Sequence, residues 1–258
     1  MKLLTVPAAT GLQWVRMGVR TFLKQPLAMA GLFFMFMAAV SVLSMLPFLG
    51  AAISALLTPA INLGLMSATR EAEAGRFPMP TQLLTAFRGG PVRTRGMITL
   101  GGLYGLCLLV ILLLVGVLDS AMSPQVDTAA MTQEQAMQAM LSSPALWIGM
   151  LLMMPLQVLF WHAPALLFWH GVTPVKSLFF SALAAWTNKG ALMLFLCGWL
   201  VVFSLLGVLM SVFRMLLGGS EASSAIMYPA VLLVVSMFFT SIWFSFRDSF
   251  SETEQPTD

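Results

Sequence analysis

Along this chain, polar positions fall almost wholly between long apolar runs and rarely alternate within them. Six runs of roughly 20 residues, enough to cover a ~30 Å hydrocarbon layer at about 1.5 Å per helical residue, lie near 27–46, 48–68, 97–118, 145–169, 191–213 and 226–246. The first two are joined so tightly around Pro47 that the pattern predicts a helical hairpin. Before each pair stands an amphipathic stretch. In "GLQWVRMGVRTFLKQP", Leu12, Val15, Val19 and Phe22 recur at helical spacing, while Arg16, Arg20 and Lys24 form a basic row. Such a helix lies in the membrane interface with its cations toward phosphates and Trp14 at headgroup level, or else packs on the rest of the protein. "PTQLLTAFRGGPVRTRG" is broken by Gly89, Gly90 and Pro91. In "TPVKSLFFSALAAWTNKG", Thr173 is placed to cap, Pro174 suits the first turn, and Val175, Phe179, Ala182 and Trp186 define an apolar face beside Lys176.

The expected fold is therefore all-α: a polytopic helical membrane protein of about six transmembrane helices in three hairpins. Each hairpin is expected to follow a cytoplasmic interfacial amphipathic helix. Residues 1–250 read as a single membrane domain, and residues 251–258, "SETEQPTD", as a short disordered acidic tail. The connection at 119–144 holds a candidate short helix from Thr132 to Leu141, with Met137, Met140 and Leu141 toward membrane or partner, and 215–225 reads as a small polar loop.

Composition agrees. The chain of 258 residues is 59% hydrophobic and 9% charged, with mean hydropathy +0.91, against about 25% charged in soluble domains. Lipid must cover much of that apolar surface. Of the 13 lysines and arginines, only Arg214 falls on the far side of the spans, which predicts both termini in the cytoplasm. Residues 1–25 lack the apolar core of a signal peptide, so the first span reads as retained. The net charge of +3 reflects topology and attraction to anionic headgroups and gives no case for nucleic acid.

Candidate chemistry is sparse. The two histidines, His162 and His170, sit in a repeated Phe-Trp-His triplet. Eight residues separate them by about 12 Å along a helix and roughly 80° around it, too far for one metal ion, with no Asp, Glu or Cys nearby. His170 reads as an interface anchor. His162 either lines a polar cavity or is neutral and bonded to a carbonyl released by Pro164. The 21 methionines are scattered over the spans and read as packing filler rather than copper ligands; Cys107 and Cys197 read as small buried hydrophobes. No Asp, Glu, Lys or Arg falls within a span core, whereas a proton- or sodium-coupled carrier is expected to show one. Ala60, Gly64 and Ala68, then Gly101 and Gly105, suit close helix approach. Pro155 and Pro164 make the fourth span the most irregular, so any cavity is expected there, near Asn62, Gln157 and His162. No hydrolase, metalloprotease or phosphate-loop motif is present, and no catalytic residue, metal or cofactor is assigned.

The stretch "APALLFWHGVTPVKSLFFSALAAWTNKGAL" (163–192) resembles the signature of an uncharacterised family of bacterial inner-membrane proteins, as does "VPAATGLQWVRMGVRTFLKQPL" at the start. Matching positions include Pro7, Trp14, Gly18, Phe22 and Pro26, then Ala163, Pro164, Lys176, Ser181 and Asn188. The resemblance implies a six-span inner-membrane protein and transfers no activity. A fainter likeness is to membrane domains fused to some glycerophosphodiester phosphodiesterases, whose catalytic domain is lacking here. Together these readings point to a non-enzymatic structural, assembly or lipid-interacting module. Its expected partners are membrane lipids with anionic headgroups, through Arg16, Arg20, Lys24 and Lys176, with another membrane protein or a second copy as further candidates. The alternative is a passive channel or transporter for an apolar or lipid-like substrate, with its cavity beside the fourth span. A copper or haem protein is a third class, to be decided by metal analysis.

Overall fold

The computed structural model describes residues 2–47, 49–122, 132–216 and 221–251. The helices are α1 (Thr10–Lys24), α2 (Pro26–Ser44), α3 (Leu49–Glu73), a 3-10 helix (Pro80–Phe87), α4 (Pro91–Met122), α5 (Gln133–Ser142), α6 (Pro144–Phe160), α7 (Ala163–His170), α8 (Pro174–Thr187), α9 (Lys189–Leu216) and α10 (Glu221–Ser249). Prolines open many of them. Pro26, Pro80, Pro91, Pro144 and Pro174 each stand in a first turn, where the missing N–H has no intrahelical partner to lose. Gly171, at φ 65°, ends α7 in the left-handed conformation.

Among the described residues, six segments are long and apolar enough to cross a membrane: α2, α3, α4, α6 with α7 (Pro144–His170), α9, and the Tyr228–Ser249 part of α10. The chain is an all-α polytopic membrane protein. The spans are not equivalent. In α3, in α6 with α7, and in α10, 44% of the most apolar stretch is buried, against 11% in α4 and α9. The first three build the interior, and the last two turn mostly leucine and valine outward, as a bilayer allows. Without water to drive apolar surfaces together, such helices associate by close packing. Gly101 shows this: a Cβ there would lie 2.0 Å from the Leu56 carbonyl oxygen, so α4 meets the α3 backbone directly.

One end of the bundle gathers the charges. Arg247 pairs with Glu73 and, at 2.8 Å, with Asp248. Trp14 Nε1 donates to Asp248 at 2.9 Å, and Trp243 Nε1 to Glu73 at 2.7 Å. Arg76 pairs with Glu71. Here a two-residue strand β1 (Lys2–Leu3) runs antiparallel to β2 (Phe250–Ser251). Asn188 clasps the chain that follows, accepting from the Val6 N–H and donating to the Leu4 carbonyl. Ser251, expected in a disordered tail, thus belongs to this strand pair; residues 252–258 lie outside the described residues. At the opposite end Thr132 caps α5 in a reciprocal box with Gln135, and Met137, Met140 and Leu141 are exposed. Residues 123–131 and 217–220, in the other connections singled out above, lie outside the described residues, and α10 already begins at Glu221.

Four local expectations need correction. Cys197, expected to be buried, is exposed, and Cys107 is only half-buried. The buried face of α1 is Gly11, Trp14, Gly18, Thr21 and Phe22, so Trp14, only 1% exposed, is a core residue rather than a headgroup anchor. The second amphipathic stretch is a 3-10 helix followed by Gly90 at φ 86°, and Arg93 and Arg95 already belong to α4. Thr173 holds the N-cap position of α8 without a side-chain cap bond; instead Ser177 Oγ donates to the Pro174 carbonyl.

Candidate functional site: an intramembrane cavity at a broken span

The fourth span breaks between α6 and α7. Pro164 has no N–H to donate back along the helix and crowds the turn before it. At the break the Ser181 hydroxyl, from α8, enters the hydrogen-bond ladder. It accepts from the His162 N–H at 3.0 Å and donates to the Val158 carbonyl at 2.9 Å, bridging the two groups a continuous helix would have joined directly. The helix then resumes, Leu166 N–H donating to the His162 carbonyl. Two of the polar groups freed by the break, the His162 N–H and the Val158 carbonyl, are thereby satisfied from a neighbouring helix, as a bilayer interior favours.

His162 is 4% exposed. Its Nε2 lies 3.0 Å from Ser245 Oγ, which also receives the Trp161 indole N–H and donates to the Ile242 carbonyl. Because that hydroxyl proton is committed, Nε2 carries the donated hydrogen, and Nδ1 has no partner among the described residues. The expected carbonyl partner is thus replaced by Ser245. Both histidines pack against Phe246 of α10 and Phe250 of β2, so the repeated triplet marks one aromatic contact line. Among the described residues no group of three or more His, Cys, Asp or Glu side chains is placed to hold a metal ion.

Beside the break lies a cavity of about 170 Å³. Asn62 and Thr58 from α3, Tyr104 from α4 and Gln157 from α6 supply its polar lining, among aromatic side chains that include Phe160, Trp161 and Phe239. The structure thus brings Asn62 and Gln157 to one space; His162 faces Ser245 and is not in the lining. Asn62 Oδ1 is buried with no hydrogen-bond partner.

Over 259 aligned positions, covering 98% of this chain and 96% of the other, the sequence is 34% identical to a probable inner membrane protein of Burkholderia thailandensis. The chain belongs to that protein's family. No family profile matches the chain, and no solved structure does. In this inner-membrane family member, the two stretches that carried the resemblance correspond to α1 and to α7, α8 and the start of α9, and they hold the residues that build the break and the clasp: Ser181, Pro164 and Asn188.

The cation set lies elsewhere on the protein. Arg16, Arg20, Lys24 and Lys176 are exposed and make no ion pair within the described residues. At about 100° per residue, α1 divides into three sectors. Gly11, Trp14, Gly18, Thr21 and Phe22 face the protein; Leu12, Val15, Val19 and Leu23 form an apolar flank; and Arg16, Arg20 and Lys24 with Gln13 form a polar one. On α8 the small face of Ser177, Ser181, Ala184 and Ala185 is buried while Val175, Phe179 and Trp186 are exposed.

Sequence reasoning missed Tyr104, Ser181 and a second cleft at the charged end. In that cleft the Arg70 guanidinium lies 5.7 and 5.9 Å from the Trp169 and Trp243 ring centres. Tyr104 had a legible signal, as one of two tyrosines in the chain and set within an apolar run. Ser181 had one too, four residues after Ser177 on the same helix face.

Proposed function

We propose that this inner-membrane protein is a non-catalytic, lipid-interacting module, structural or in assembly, with both termini in the cytoplasm and anionic lipid headgroups as its partners. The three-sector α1 supports this best. A helix with one side on protein, one apolar flank and one row of unpaired cations has the surface needed at the boundary between acyl chains and phosphates. The exposed apolar face of α8 beside Lys176 repeats the arrangement, and Arg70 adds a cation held against two tryptophan rings at the same end.

The test is replacement of Arg16, Arg20 and Lys24 together by glutamine in protein reconstituted with mixed phosphatidylglycerol and phosphatidylcholine. Each cation near an anionic surface is worth about 1 kcal/mol. Enrichment of phosphatidylglycerol among tightly held lipids, read by native mass spectrometry, should therefore fall by about tenfold or more. Unchanged enrichment contradicts the proposal. A second reading, passage of an apolar or lipid-like substrate, is favoured by one observation: a mainly apolar cavity with Asn62 and Gln157 in its lining, beside the broken span.

A further inference from the structure

We propose that the cavity is a binding site for the uncharged, oxygen-bearing head of a membrane-dissolved amphiphile. The inference rests on the cavity reading just given and names what enters. Asn62 and Gln157 lie about halfway along the spans Leu49–Glu73 and Pro144–His170, so the site is at mid-depth, beyond the reach of ordinary phosphate headgroups. Asn62 Oδ1 is buried without a partner, and the Tyr104 hydroxyl and Gln157 amide line the same space with no hydrogen bond to any described residue. A buried polar group such as the Asn62 oxygen is nearly always satisfied, and a polar group left unpaired in hydrocarbon costs several kcal/mol. Whichever way the amides are turned, these side chains offer both donors and acceptors.

The ligand's chemistry follows from the lining. Among the described residues no charged side chain borders the cavity, so an ionised group would enter a low-dielectric site without a counter-charge. Hydroxyl and carbonyl groups suit it. The volume of about 170 Å³ matches a six-membered ring, since an engineered cavity of about 150 Å³ holds benzene. Phe160, Trp161 and Phe239 supply flat apolar contact around it. Thr58 and Gln157 are exposed, so the polar lining reaches the outer surface of the bundle, and an attached chain has a way out into lipid.

The experiment compares decyl-benzoquinol with decylbenzene, which matches its ring and tail but lacks the oxygens, on full-length protein in nanodiscs, read by native mass spectrometry. The quinol should bind at least about tenfold more tightly, which corresponds to one retained hydrogen bond of about 1.4 kcal/mol. Asn62→Leu and Gln157→Leu should each abolish that preference. Asn62→Leu should also raise the melting temperature of ligand-free protein, because it removes an unsatisfied group from a space with room for leucine. Equal binding of the two probes, marking a cavity that holds only water or acyl chains, overturns the proposal. So does a lowered melting temperature in Asn62→Leu, which would show that the amide holds the fold together. Transfer of the quinol between leaflets is scored separately. Binding without transfer keeps the site and removes the passage reading.

Discussion

Ser181 shows how one side chain allows a membrane helix to be interrupted. Its hydroxyl answers both the His162 N–H and the Val158 carbonyl, and alanine there leaves two buried backbone groups unpaired. A buried orphan costs about 1–3 kcal/mol, so Ser181→Ala should lower unfolding stability in detergent by about 2 kcal/mol or more. A change below about 0.5 kcal/mol would mean that the break is satisfied in some other way. The sequence marked the break through Pro164, whereas Pro155 lies inside α6 without interrupting it, and it marked Asn62 and Gln157 as polar residues in apolar runs. It did not reveal the partner of the break, because Ser181 lies on another helix and looks like one of several serines. Nor did it separate His162 from the cavity, since one turn of helix decides whether a ring faces that space or Ser245.

At the level of elements, α1 is the instructive case. Its cations were legible because charged residues repeat every four positions, and all three are exposed. The phase of its packed face was not. Hydrophobic periodicity counts glycine and threonine as blanks, yet Gly11, Gly18 and Thr21 are on the buried side, where small size lets backbones meet. A Cβ on Gly18 would lie 2.4 Å from Ser241 Cβ and 2.7 Å from Ser241 Cα. Gly18→Val should therefore destabilise the protein by about 2–3 kcal/mol and expose α1 to limited proteolysis. Gly31→Ala in α2, with nothing within 4 Å of its added Cβ, serves as the control and should be near neutral. Equal behaviour of the two variants would mean that α1 is not docked on α10. The amphipathic units were likewise legible in composition but not in conformation, since Gly89 and Gly90 left only a 3-10 helix where a full helix stood in the first and third units.

For the molecule as a whole, six apolar runs became six helical segments long enough to span a bilayer, one of them broken between α6 and α7, because the length and polarity of such runs are dictated by the solvent that covers them. The same solvent explains the large exposed leucine surface of α4 and α9 and the confinement of Glu71, Glu73, Asp119, Arg247 and Asp248 to helix ends. The proposed sidedness, with α1, the Asn188 clasp and the Arg247 cluster in the cytoplasm, carries the functional reading, since anionic headgroups must meet the basic end. Single cysteines at Met79 and at Met140, in a background lacking Cys107 and Cys197, test it with a membrane-impermeant maleimide on intact spheroplasts. A cytoplasmic basic end requires Met140→Cys to react from outside and Met79→Cys to react only after lysis. Reaction of both from outside, or of Met79→Cys alone, would contradict it.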